Sequence, residues 1–116
     1  MRAEAQAHVE TINEALALLR RFLDWDRALR RLDELNARVE DPTLWNDAKK
    51  AQDVMRERRR LDEAISATRA IETELNDTAE LIEMAEAEGD EEMASEGTTS
   101  LAALAERAEK DKVMAL

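Results

Sequence analysis

Gly89, Gly97 and Pro42 are the only glycines and proline among 116 residues. Strand-rich folds need a turn signal about every 8–12 residues, and glycine and proline supply most of the turn chemistry. A chain with three such residues cannot build a many-stranded β fold. It must consist of a few long elements, and its wealth of Ala, Glu, Leu and Arg makes those elements helices. The expected fold class is all-α.

Apolar spacing divides the chain. From about Glu4 to Leu23, Val9, Ile12, Leu16, Leu19 and Leu23 recur at alternating steps of three and four, a heptad seam on one helix face. Arg20 and Arg21 suit the last turn of that helix, where cations complement its dipole. The seam stumbles at Phe22-Leu23-Asp24-Trp25-Asp26, so a kink or break is expected, with Asp24 as N-cap of the next helix. That helix runs to about Val39 with Trp25, Ala28, Leu29, Leu32, Leu35 and Val39 on one side. Asp26 with Arg30, and Arg30 with Glu34, are spaced for ion pairs along its surface.

Asp41-Pro42-Thr43-Leu44-Trp45-Asn46-Asp47 is the strongest punctuation. Pro42 pushes Asp41 out of the helical region, and the two suit the cap and first position of a short helical turn. Asn46 is then the expected cap of the following helix, and Trp45 is expected to close the end of the core. The third helix, about Asp47 to Ala87, is the longest. Its later seam is Leu61, Ile65, Thr68, Ile71, Leu75, Thr78, Ile82 and Ala85. Gly89 and Asp90 end it and start a last helix with Met93, Leu101, Leu104, Ala108 and Val113 on its seam; Gly97 to Ser100 weaken its beginning. Short connections between long helices favour antiparallel neighbours. The expected architecture is one domain over residues 1–116, an elongated antiparallel bundle of three to four helices, one of them very long.

The residue types exclude much chemistry. With no Cys and a single His, His8, there is neither a disulfide nor a thiolate metal site, and no paired Glu-x-x-His set for a di-iron bundle. His8 sits beside the seam and reads as a solvated helix residue. The acidic run Glu86, Glu88, Asp90, Glu91, Glu92 lacks the alternating ligands of a calcium loop and reads as a solvated turn. Gly89 and Gly97 stand apart and form no phosphate loop. No catalytic, metal or cofactor residue is assigned, and an enzyme is not expected. The longest apolar runs, such as Ala15–Leu19, span five residues against the roughly 20 needed to cross a bilayer, so a soluble, cytoplasmic chain with no membrane partner is expected.

Asp and Glu number 28 against 17 Lys and Arg, a net charge of −11, which disfavours general nucleic-acid binding. A local basic patch can still sit on an acidic protein. The densest cluster is Arg56-Glu57-Arg58-Arg59-Arg60, with two readings. It could touch RNA phosphates or an acidic protein. Alternatively Arg58 with Asp62 and Arg59 with Glu63, each four apart, simply bridge along the helix surface. Phe22, Trp25 and Trp45 are not interleaved with the arginines and read as core rather than as a base-stacking platform.

Several short motifs occur together: Phe22-Leu23-Asp24-Trp25-Asp26, Leu32-Asp33-Glu34-Leu35-Asn36, Asp41-Pro42-x-x-Trp45-Asn46-Asp47, Lys50-Ala51-Gln52, and Arg56-Glu57-Arg58 followed by Leu61. In this concert the chain from Phe22 onward resembles the N-terminal helical domain of the bacterial peptide chain release factor 2 family. The resemblance implies a part in translation termination at UAA and UGA codons. Members read the stop codon with Ser-Pro-Phe and act in peptidyl-tRNA hydrolysis through Gly-Gly-Gln; neither tripeptide occurs here, so no codon-reading or catalytic residue is transferred. The family's helical domain is an accessory module that reaches the large-subunit stalk base of the ribosome, protein and rRNA together. Arg56, Arg58, Arg59 and Arg60 are the candidate contact residues. No small-molecule substrate is implied.

Two other classes compete. A stand-alone acidic coiled-coil adaptor or chaperone-like protein fits the heptads equally well. An RNA-binding helical hairpin fits less well, because it wants a basic rod. Residues Val113 to Leu116 read as a helix cut in mid-course. If a neighbouring domain is missing, Val113, Met114 and Leu116 lose their partners and the isolated fragment is expected to self-associate.

Overall fold

A computed structural model describes residues 1–116. Four α-helices follow one another: α1 Ala3–Leu23, α2 Trp25–Val39, α3 Ala48–Ala87 and α4 Glu91–Ala115, with a 3-10 turn Pro42–Asn46 between α2 and α3. The all-α expectation and the single very long helix both hold. The chain packs as two compact units: Met1–Phe22 with Thr68–Leu116, and Leu23–Ala67. Residues of α3 belong to both. No helix is long and apolar enough to cross a membrane.

In the first unit, α1 and α4 each run antiparallel to the second half of α3. Ile12, Leu16 and Leu19 of α1 meet Ile71, Leu75 and Ile82 of α3 and Leu101 and Leu104 of α4 in one buried cluster. Each such side chain contributes roughly 1.5–3 kcal/mol by leaving water. Arg20 pairs with Glu72, and Arg107 Nη2 with Glu74 Oε2 at 2.9 Å, which sets the register of both partners against α3. The seam of α4 departs from expectation. Ala94 and Gly97 are buried in place of Met93, which is exposed, and Val113 is exposed as well. Counting back from Leu101 by four and three residues reaches 97 and 94, so position 93 falls off the buried side. Gly97 occupies a tight approach: a Cβ there would lie 2.5 Å from Ile82 Cγ1. The Thr98 and Thr99 hydroxyls donate to the carbonyls of Ala94 and Ser95, and the helix runs through this segment without a break.

Gly89 closes α3 as expected. Its φ is +73°, and Asp90 N donates to Ala85 O at 2.8 Å while Gly89 N donates to Glu86 O at 3.1 Å. That pair of bonds is the left-handed helix stop that satisfies the last carbonyls. Asp90 then accepts from Met93 N at 3.0 Å and caps α4.

In the second unit, α2 packs antiparallel to the first half of α3 over Leu35, Leu44, Ala51 and Val54, with Val39 and Leu61 against them. Asp41 caps the 3-10 turn as predicted, accepting from Thr43 N at 3.0 Å and Thr43 Oγ1 at 2.9 Å. Two expectations are corrected here and a third is refined. Trp45 does not close the core: it is 55% exposed, and Leu44 is the buried residue. With three residues per turn, adjacent side chains of a 3-10 turn diverge by about 120°, and only one of the two can face inward. The cap of α3 is Asp47, not Asn46, since its carboxylate accepts from Lys50 N at 3.1 Å. Asp24 is the N-cap position of α2, as expected, but it breaks the helix by its backbone, at φ 56° and ψ 68°, and makes no side-chain cap bond. Its carbonyl accepts from Ala28 N at 2.8 Å, so α2 starts at once.

Candidate interaction surface

The buried positions Ala51, Val54 and Ile65 mark the inner side of α3 in the second unit. Each residue advances a helix by about 100°, so Arg56 lies about 200° round from Val54 and points away from the core. Arg59 and Arg60, three and four residues further, share that outer side, and Lys49 lies two turns before Arg56. All four are exposed. None of them makes an ion pair within 4 Å; the salt bridges of this unit centre on Arg31. The surface pairs that the spacing suggested do not form, neither Arg58–Asp62 and Arg59–Glu63 on α3 nor Asp26–Arg30 and Arg30–Glu34 on α2. Holding two long exposed side chains together costs entropy that an exposed pair barely returns, so Arg30 and Arg59 stay solvated.

Arg58 and Glu57 have different work. Arg58 is half-buried and its Nε donates to Asn36 Oδ1 at 2.6 Å, tying α3 to α2. Glu57 accepts a two-pronged bond from Arg31, Nε to Oε2 at 2.6 Å and Nη2 to Oε1 at 2.8 Å. Arg31 Nη1 also reaches Glu34 at 3.1 Å. The fork geometry of guanidinium on carboxylate makes this the strongest polar tie between the two helices. The Arg31 hydrogen bonds hold the Glu57 carboxyl below the usual glutamate range against a smaller opposing effect of burial, and the charges of Arg31, Arg60 and Arg38 add to it. The two carboxylates push the Arg31 guanidinium further up, mainly through the Glu57 bond. Beside this pair lies an open groove of about 610 Å³ lined by Arg27, Arg30, Arg31, Glu34, Glu57 and Leu61 among others.

Charge is divided unevenly. The unit Leu23–Ala67 holds 10 Lys and Arg against 11 Asp and Glu, a net −1, while the other unit holds 7 against 17, a net −10. The acidity that argued against nucleic-acid contact therefore belongs almost entirely to one unit. The other presents unpaired cations on the outer side of one helix, where counterion release on phosphate would reward them.

The family model of the PCRF domain matches residues 28–115 of this sequence. The chain belongs to the PCRF domain family. Similar proteins include peptide chain release factor 2 of Paramagnetospirillum magneticum, 54% identical over 110 residues that cover 95% of this chain and 30% of the relative. Peptide chain release factor 2 of Roseobacter denitrificans is 46% identical over 116 residues, 100% of this chain and 31% of its own length. That of Phenylobacterium zucineum is 50% identical over 93 residues, 80% and 25% respectively. This PCRF domain thus spans about 30% of the length of the curated relatives it matches most fully. The match to release factor 2 expected from the motifs is borne out.

Sequence reasoning picked out the α3 cluster of this PCRF domain but overlooked Arg27 and Arg30, which lie across the groove from Glu57 and Leu61. The signal was available: four arginines, at 27, 30, 31 and 38, stand on α2. Assigning Arg30 to ion pairs with Asp26 and Glu34 hid it. It also assigned Trp45 to the core, although the ring is exposed two residues before the cap of α3.

Proposed function

We propose that this PCRF domain is the accessory helical module of a release factor 2 acting in translation termination at UAA and UGA codons, and that it meets the large-subunit stalk base of the ribosome. The family match supports the process. The observation that supports the contact is the row of exposed, unpaired Arg56, Arg59 and Arg60 on the outer side of α3, in the unit that carries little of the net negative charge. Arg58 holds α3 against α2 and orients that row rather than joining it. The domain supplies affinity and position. It has no nucleophile–base pair, and codon reading and hydrolysis fall to the Ser-Pro-Phe and Gly-Gly-Gln segments, which these 116 residues do not contain. The adaptor alternative loses its footing, because the relatives named above are all release factors.

The test is co-sedimentation of the chain with large ribosomal subunits over a salt series. Arg56→Glu with Arg59→Glu should weaken binding about tenfold and flatten the dependence of log affinity on log salt by about one to two units, as expected for lost phosphate contacts. Lys110→Glu, an exposed reversal in the acidic unit, should change little. Grafted in place of the matching segment of the Paramagnetospirillum magneticum factor, the double variant should slow peptide release equally at UAA and UGA. Retention equal to the parent chain at every salt concentration would refute the contact.

A further inference from the structure

From Ala70 to Glu106 the chain carries twelve Asp and Glu and no Lys, Arg or His. Within this stretch three large apolar side chains are exposed: Leu81 at 41%, Met84 at 57% and Met93 at 40%. Leu81 and Met84 lie one turn apart on α3, off the buried side marked by Ile82 and Ala85. The approach of Gly97 to Ile82 fixes the register of the α3–α4 hairpin. Counted from it, Met93 stands level with Glu86, within one turn of Met84. The three form an apolar strip at the hairpin's end. Asp77, Glu80, Glu88, Glu92 and Glu96 around it are exposed and make no ion pair.

We infer that this strip is a docking surface for a basic amphipathic helix of a protein partner, with apolar side chains on the strip and Lys or Arg on the acidic border. Charge complementarity decides the occupant. RNA and acidic lipid carry the same sign as the border and are repelled. A second copy of the chain would bring together two units of net −10 each. A basic helix gains on both counts, since apolar area leaves water while unpaired carboxylates find partners. Two of the three apolar residues are methionines, whose flexible thioether chains mould to varied apolar surfaces. The inference goes beyond the proposed function and stands apart from it, because its test uses no ribosome.

The probe is a fluorescein-labelled peptide with Leu at helical spacing and Lys elsewhere, followed by anisotropy with the intact chain. A peptide of the same composition, scrambled so that the apolar face is lost, is the comparison. The amphipathic peptide should bind at least tenfold tighter than the scrambled one. Leu81→Gln with Met84→Gln should remove most of that difference; both side chains are exposed, and circular dichroism verifies that the helices remain. Asp77→Asn with Glu80→Gln should weaken binding several-fold, whereas the charge-matched Glu10→Gln with Glu14→Gln on α1 should leave it within twofold. Equal affinity for the two peptides, or unaltered binding by the Leu81/Met84 variant, would overturn the inference. A 20-nucleotide single-stranded RNA that displaces the peptide competitively would overturn it too.

Discussion

Gly97 shows how one missing methyl group sets the distance between helices. Placing alanine in a helix instead of glycine ordinarily gains about 1 kcal/mol. Here the added Cβ would lie 2.5 Å from Ile82 Cγ1 and 3.1 Å from Cδ1. Ile82 is buried and β-branched, and its χ1 has one strongly preferred well in a helix, so it cannot swing aside freely. Overpacking of this kind costs about 1–3 kcal/mol and should outweigh the propensity gain. Gly97→Ala should therefore lower stability in urea denaturation. In an Ile82→Ala background the same change should become stabilising by up to about 1 kcal/mol, because only the propensity term remains. A destabilisation of equal size in both backgrounds would place the cause elsewhere. Gly89 differs, because a Cβ there meets nothing within 4 Å. Its φ of +73° is the whole constraint, and Gly89→Ala should cost about 1–2 kcal/mol through the left-handed backbone alone.

At the scale of the elements, caps and cross-helix ties decide where each helix stops and what it faces. Asp90 begins α4 immediately after the Gly89 turn, and Asp90→Ala should cost about 1 kcal/mol as the Met93 N–H loses its acceptor. Between α2 and α3, the Arg31–Glu57 pair makes a pH-dependent contribution. The folded Glu57 carboxyl titrates below its ordinary value of 4.5, chiefly through the Arg31 hydrogen bonds. Between the two values the unfolded chain binds more protons, so stability rises with pH there. The contribution is complete above about 4.5 and is lost as pH falls through the depressed folded value. Glu57→Gln should thus destabilise the chain more at pH 7 than at pH 3, measured by denaturant titration at both. An equal loss at both would show that the charge of Glu57 contributes nothing. Helix number, the long α3 and its later seam were legible in the spacing of Ile65, Ile71, Leu75 and Ile82, because burial repeats with the helical period. The cap of α3, the inward residue of the 3-10 turn and the surface ion pairs were not. Asn46 and Asp47 are adjacent and equally suited to capping, Leu44 and Trp45 are equally apolar, and Arg31 reaches Glu57, 26 residues away, besides the nearby Glu34. Local spacing holds no record of such choices, which are made by tertiary packing.

For the whole molecule the uneven division of charge matters more than its sum of −11. The overall figure argued against nucleic-acid contact, yet the unit of net −1 is the one that bears Arg56, Arg59 and Arg60 unpaired. The arginines themselves were visible in the sequence; their freedom from partners was not, since it depended on where Arg31, Arg58 and the acids came to rest. The division also gives the two units opposite responses to salt. Seventeen acids against seven cations make self-repulsion the leading long-range term in the unit of net −10. Screening shortens from about 14 Å at 0.05 M to about 4 Å at 0.5 M and relieves that repulsion. The other unit is close to neutral, and its polar tie is an attraction between Arg31 and Glu57 that screening weakens. Hydrogen exchange followed residue by residue at 0.05 and 0.5 M NaCl should therefore show protection rising with salt for amides of α4 and α1. For amides of α2 it should stay level or fall. A uniform change along the chain would mean that the two units share one electrostatic response, and that the net charge of −11 describes the molecule better than its division does.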